Sequence, residues 1–73
     1  IMADKQVVNQ LNDLLELLYD SSKGYQECTA NISDERLKKL CSDLSEKRKG
    51  MIQDLETTIK NLQGEPVQSG SAT

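Results

Sequence analysis

The chain has 73 residues, a net charge of −3, two cysteines and no histidine. A chain this short allows one small domain and buries a low fraction of its surface, so a stable core needs outside help. Without histidine it lacks the commonest zinc and iron ligand and the usual general base at neutral pH.

There is no Phe or Trp and only two tyrosines, Tyr19 and Tyr25, so a platform for stacking bases is absent. Basic residues are scattered among acidic ones. The densest run, Lys47-Arg48-Lys49, follows Glu46 and winds around a helix instead of lining one side of it, which argues against nucleic acid as a partner. No stretch approaches the ~20 apolar residues of a membrane span. An amphipathic helix lying on a membrane is disfavoured by the missing Trp and Phe and by the acidic balance. No signal-peptide pattern is present, and together with thiols expected to be free this makes the cytoplasm the expected compartment.

In chain order, the first apolar stripe runs Val7, Val8, Leu11, Leu14, Leu15, Leu18, Tyr25, Cys28 and Ile32. Its three- and four-residue steps predict one long amphipathic helix over about 4–32. Ser21, Ser22 and Thr29 complete the stripe with small side chains that let a neighbouring helix approach. The pattern breaks at Asn31-Ile32-Ser33-Asp34, where Ser33 or Asp34 can cap a new helix and Asp34 and Glu35 place negative charge at its positive end.

The second stripe is Leu37, Leu40, Cys41, Leu44, Met51, Leu55, Ile59 and Leu62, predicting a helix over about 35–63. Gly64 suits its C-cap and Pro66 forbids continuation. Residues 1–66 thus form a helical hairpin, and 67–73 read as a flexible tail or linker. Each helix is roughly 40 Å long at ~1.5 Å per residue, and a link of two or three residues makes them antiparallel. Leu18 is expected level with Arg48, Ser22 with Leu44, Tyr25 with Cys41 and Leu11 with Leu55.

Two helices make a ribbon whose stripes each keep one wet flank, and a long apolar groove is a patch that monomers rarely tolerate. The expected closure is pairing with another hairpin, from a second copy or from more of the same gene product, and the expected form is a homo-oligomer that is dimeric or higher. The residues expected at this seam and interface are Leu11, Leu14, Leu18, Tyr25, Leu44, Arg48, Met51, Leu55 and Ile59.

Val8-Asn9-Gln10-Leu11-Asn12-Asp13-Leu14-Leu15-Glu16 resembles the opening of a bacterial ferritin-like family of unknown function, known only as four-helix bundles. Lys23-Gly24-Tyr25, Asp34 followed by Leu37-Lys38 and Leu40, and Leu55 with Ile59 continue the match. Leu62-Gln63-Gly64-Glu65-Pro66, then Ser69-Gly70-Ser71, is its most specific part, and no gap is needed from Val8 to Ser71. The resemblance implies an all-α, ferritin-like fold of which this chain is the N-terminal half, since family members continue into a third and fourth helix. It implies no reaction.

Ferritin-like di-metal sites take a Glu from one helix and Glu-x-x-His from the next, pointing inward. With Leu18 inward at ~100° per residue, Asp13, Glu16, Asp20 and Glu27 fall outward, and position 22, a Glu in many relatives, is Ser22. With Leu44 inward, Glu46 points out, Asp43, Asp54 and Glu56 lie at the flanks, and Lys49 stands three residues after Glu46 where a His would be needed. No metal, cofactor or catalytic residue is assigned.

Arg48 falls on the inner stripe, where a guanidinium either snorkels along its stem or makes a buried contact with Ser22, Tyr19 or a partner's carboxylate; an anion site ranks third. Packed helices stand ~8–10 Å apart and a disulfide needs Cα atoms within ~7 Å, so Cys28 and Cys41 are expected as buried free thiols, without a His to activate either. The expectation is a non-enzymatic interaction module that self-associates through its apolar face. The alternative is a di-metal-binding protein completed by helices absent from this chain.

Overall fold

The computed structural model describes residues 4–68, which form two helices, α1 (Asp4–Asn31) and α2 (Glu35–Asn61), lying antiparallel. The Cα trace measures 50 × 24 × 12 Å, so the hairpin is a ribbon one helix thick.

The turn at residues 32–34 is set by Asp34, whose carboxylate Oδ1 accepts from the backbone N–H of Arg36 at 2.9 Å and of Leu37 at 3.1 Å. Of the two expected caps, Asp34 is the one used, and Glu35 adds acid to the first turn of α2. The extended Asp34 backbone carries the chain past the end of α1 before α2 starts. Level pairs therefore slip by about one turn from the expected ones. Cys28 faces Cys41, and Arg48 reaches Tyr25 instead of Leu18.

Cys28 and Cys41 are joined as a disulfide, with Cα atoms 6.2 Å apart. This corrects the expectation of free thiols. That expectation used the spacing of helices along their length, but close to a short turn the helices converge to within bonding reach. The cytoplasmic expectation loses one of its supports with it, because disulfides persist mainly in oxidising compartments.

Leu15, Leu18, Ile52 and Ile59 are the buried apolar core, with Leu15 and Ile59 fully covered. They run from the middle of the ribbon, at Leu18, toward the end away from the turn. The half nearer the turn packs small or polar residues, with Ser22 and Ser45 buried and Thr29 and Arg48 half-buried.

The end of α2 also differs from expectation. Gln63 takes the left-handed conformation (φ 65°), with its N–H on the Lys60 carbonyl and that of Gly64 on the Ile59 carbonyl, both at 2.9 Å. This is a Schellman cap with Gln63 in the position usually given to glycine. Gly64 lies outside the left-handed region and is needed for space, since a Cβ there would stand 2.6 Å from Val8 Cγ1. Beyond the cap, Val67 packs against the core. The remainder of the expected flexible tail, residues 69–73, lies outside the described residues.

Candidate functional site

The hairpin has two unlike flanks, and helical phase says which residues line each. Along α1 the seam takes Val8, Leu11, Leu15, Leu18, Ser22, Tyr25 and Thr29; along α2 it takes Cys41, Ser45, Arg48, Ile52, Leu55, Ile59 and Leu62. These are alternating three- and four-residue steps, the repeat of helices that coil around each other, and each of these residues is buried or half-buried.

One step to one side of the seam stand Val7 and Leu14 on α1, with Leu37, Leu44 and Met51 on α2. Leu17 and Leu40 lie further round the same side. Six of these seven are large apolar side chains left 43–65% exposed: Val7, Leu14, Leu17, Leu37, Leu40 and Met51. Half-exposed side chains in that number amount to several hundred Å², the size of the largest patch on a typical monomer. Near the middle a groove of about 280 Å³ opens between the helices, walled by Leu14, Leu18, Met51, Leu55 and the carboxylate-bearing Asp54.

Arg48 enters this flank from the seam. Its Nη1 donates to Met51 Sδ at 3.2 Å, and its guanidinium carbon stands 5.8 Å from the centroid of the Tyr25 ring. Its Nε is buried without a partner, as is Ser45 Oγ one turn earlier. A thioether is a weak acceptor and a ring face a diffuse one, so Arg48 holds strong donors with no strong acceptor among the described residues.

The opposite flank is polar and partly covered. Tyr19 donates its hydroxyl to Glu56 Oε2 at 2.7 Å and lies 3.5 Å from the Val67 carbonyl. Asn12 clasps the chain on both sides of Pro66, its Nδ2 donating to the Glu65 carbonyl at 3.0 Å and its Oδ1 accepting from Val67 N–H at 2.9 Å. Burial first, then the hydrogen bond to Glu56 and its negative charge, raise the Tyr19 hydroxyl from 10.0 to about 12. Further along, Lys23, Gln26, Lys49 and Gln53 border a shallow depression of about 580 Å³.

The expected seam residues divide between these surfaces. Leu18 and Ile59 are core, Leu11 and Leu55 pack against it half-buried, and Tyr25, Leu44 and Arg48 are half-buried. Leu14 and Met51 instead stand on the open apolar flank at 46% and 44% exposure. Ile52 is core but absent from the expected stripe, because taking Leu44 as the inward residue set the phase of the second helix off by one residue, ~100°. The 3–4–3 run Ile52-Leu55-Ile59-Leu62 carried the correct phase. The Asn12 and Tyr19 clasp has no periodic signal.

Asp13, Glu16, Asp20, Glu27, Asp43, Glu46 and Asp54 are exposed, and Glu56 is half-buried against Tyr19. Among the described residues no three His, Cys, Asp or Glu side chains come together as a metal site, and no helix is long and apolar enough to cross a membrane. No curated protein and no solved structure matches this chain. A match to DUF2383, a domain of unknown function, covers residues 6–73, and with that coverage the chain belongs to the DUF2383 family.

Proposed function

We propose that this hairpin is a self-association module, and that two copies pair through the Leu14–Met51 flank into a four-helix bundle. The observation that carries this reading is the asymmetry of the ribbon. One flank carries the exposed large apolar side chains, from Val7 and Leu14 on α1 to Leu37 and Met51 on α2, while the other is polar and clasped by the chain's own residues on both sides of Pro66. Among the described residues four are buried and apolar, a thin core for a folded hairpin. A second ribbon of the same length would cover Val7, Leu14, Leu17, Leu37, Leu40 and Met51 at one stroke, and self-pairing through one patch is the commonest route to a closed assembly.

The resemblance of Val8–Glu16 and Leu62–Pro66 to ferritin-like proteins supports the four-helix layout, since such bundles are two hairpins laid face to face, both from one chain in that family and one from each copy in this reading. Nothing in the carboxylates of this chain adds a di-metal reading to it. The activity proposed is binding, with no reaction attached.

Light scattering coupled to size exclusion at tens of micromolar tests the reading. The expected mass is twice the chain's 8.1 kDa, falling to a single chain for Leu17→Lys with Met51→Lys. A wild-type chain that stays folded and monomeric overturns it.

A further inference from the structure

The geometry points to a specific pairing across that interface: Arg48 of each copy bonds Asp54 of the other about a two-fold axis passing at Met51. The inference rests on the self-association reading and adds the orientation of the partner and the residues that select it.

Three observations converge. Arg48 is a charge half-withdrawn from water, with Nε buried and unpartnered and its one directed hydrogen bond spent on the Met51 thioether. Burying a guanidinium without an acceptor is costly, so the site lacks a carboxylate. Asp54 lines the apolar groove beside Met51, and among the described residues it takes part in no ion pair; the three that form are Lys38–Glu35, Lys39–Asp43 and Lys49–Glu46. Arg48 and Asp54 also stand symmetrically about Met51, one turn before and one turn after it, about 60° to either side at ~100° per residue.

Within one chain that separation is about 9 Å along the helix at ~1.5 Å per residue, so the two do not meet. An antiparallel copy of α2 centred on Met51 exchanges their levels. It sets Asp54 of the second copy level with Arg48 and the reverse, on opposite sides of a Met51–Met51 contact, and the long Arg48 side chain crosses that contact to make two equivalent ion pairs. This is the self-complementary pattern of a two-fold interface, in which residue i meets j and j meets i.

Leu18 borders the same groove as Met51, so on α1 the axis passes near Leu18. Leu14 of each copy then comes level with Ser21 and Ser22 of the other, large against small. Copies related by a two-fold axis along the helices would instead set α2 of one against α1 of the other, and Arg48 would not come level with Asp54 of the second copy.

Charge reversal distinguishes this inference from the reading beneath it. Dissociation constants are measured by sedimentation equilibrium for wild type, Arg48→Asp, Asp54→Arg, the double variant, and an equimolar mixture of the two single variants, with circular dichroism confirming helix content in each. Each single reversal is expected to weaken self-association by at least roughly 100-fold. The double variant recovers to within about tenfold of wild type. The mixture associates although neither component does alone, because one chain then offers both carboxylates and the other both guanidinium groups.

A wild-type dimer whose single variants bind as tightly as wild type overturns the Arg48–Asp54 pairing and leaves self-association standing. Weakened single variants that do not associate on mixing overturn the antiparallel orientation. A monomeric wild type removes both.

Discussion

Replacing Gly64 with Ala tests the packing at the end of α2. The added Cβ would stand 2.6 Å from Val8 Cγ1, 2.9 Å from Val8 Cγ2 and 3.1 Å from Ile59 Cγ2. Val8 cannot rotate away cheaply, because a β-branched side chain on a helix is held to one χ1 well. Two responses are open. The core can absorb the methyl, which costs about 1–3 kcal/mol in a packed site. Alternatively the segment 64–67 can lift, giving up the two Asn12 hydrogen bonds at about 1 kcal/mol each together with the Val67 packing.

Either route costs about 2 kcal/mol, or roughly 8–16 °C in melting temperature for a domain this small. Ordinarily Gly→Ala stabilises a protein by about 0.4–1 kcal/mol through the unfolded chain, so the sign alone is informative. Urea unfolding followed at 222 nm, at one fixed protein concentration, measures it. Val8→Ala removes the obstructing methyls, so the double variant should be more stable than the sum of the two singles by about 1–2 kcal/mol. Gly64→Ala within about 0.5 kcal/mol of wild type, or strict additivity with Val8→Ala, would show that the close approach of Gly64 to Val8 does not hold this end together.

Reducing the Cys28–Cys41 bond, which spans 13 residues, should lower stability by about 3 kcal/mol; an unchanged melting temperature after complete reduction, or alkylation of both thiols without reductant, contradicts it. The Tyr19 hydroxyl rises from 10.0 in the unfolded chain to about 12 in the folded one, so the stability tied to its neutral form is complete below pH 10 and is lost as pH climbs toward 12. Denaturant midpoints for wild type should fall across that window, and Tyr19→Phe should flatten the fall; equal slopes would deny Tyr19 this part in the stability.

Much of the architecture was legible because period and punctuation agree. The three- and four-residue steps from Val8 to Thr29 set the inner face of α1. Asp34 announced the turn through its capping chemistry, and the short link made the hairpin antiparallel.

The inner face of α2 was harder to read because that helix carries two apolar strips. Leu37, Leu44 and Met51 on the outer flank are as numerous as Ile52, Leu55 and Ile59 in the seam, and Ser45 and Arg48 interrupt the inner strip with polar atoms. Periodicity weighs residues by type, and it cannot separate a strip covered by α1 from one left open to water. The disulfide and the Asn12 and Tyr19 clasp depend on how far the turn displaces one helix along the other, and on contacts between residues 37–55 apart in sequence. Neither leaves a local trace.

The two ends of the ribbon are secured by different physics, one by a covalent bond and the other by dispersion contacts among leucine and isoleucine. Temperature and denaturant act on the second, while electron donors act on the first. Reduction therefore loosens the turn end first and weakens the whole hairpin, whereas thermal stress opens the far end while the sulfur bridge still tethers the helices. Re-zipping from a tethered pair needs no new encounter between distant segments, so the molecule carries its own template for recovery.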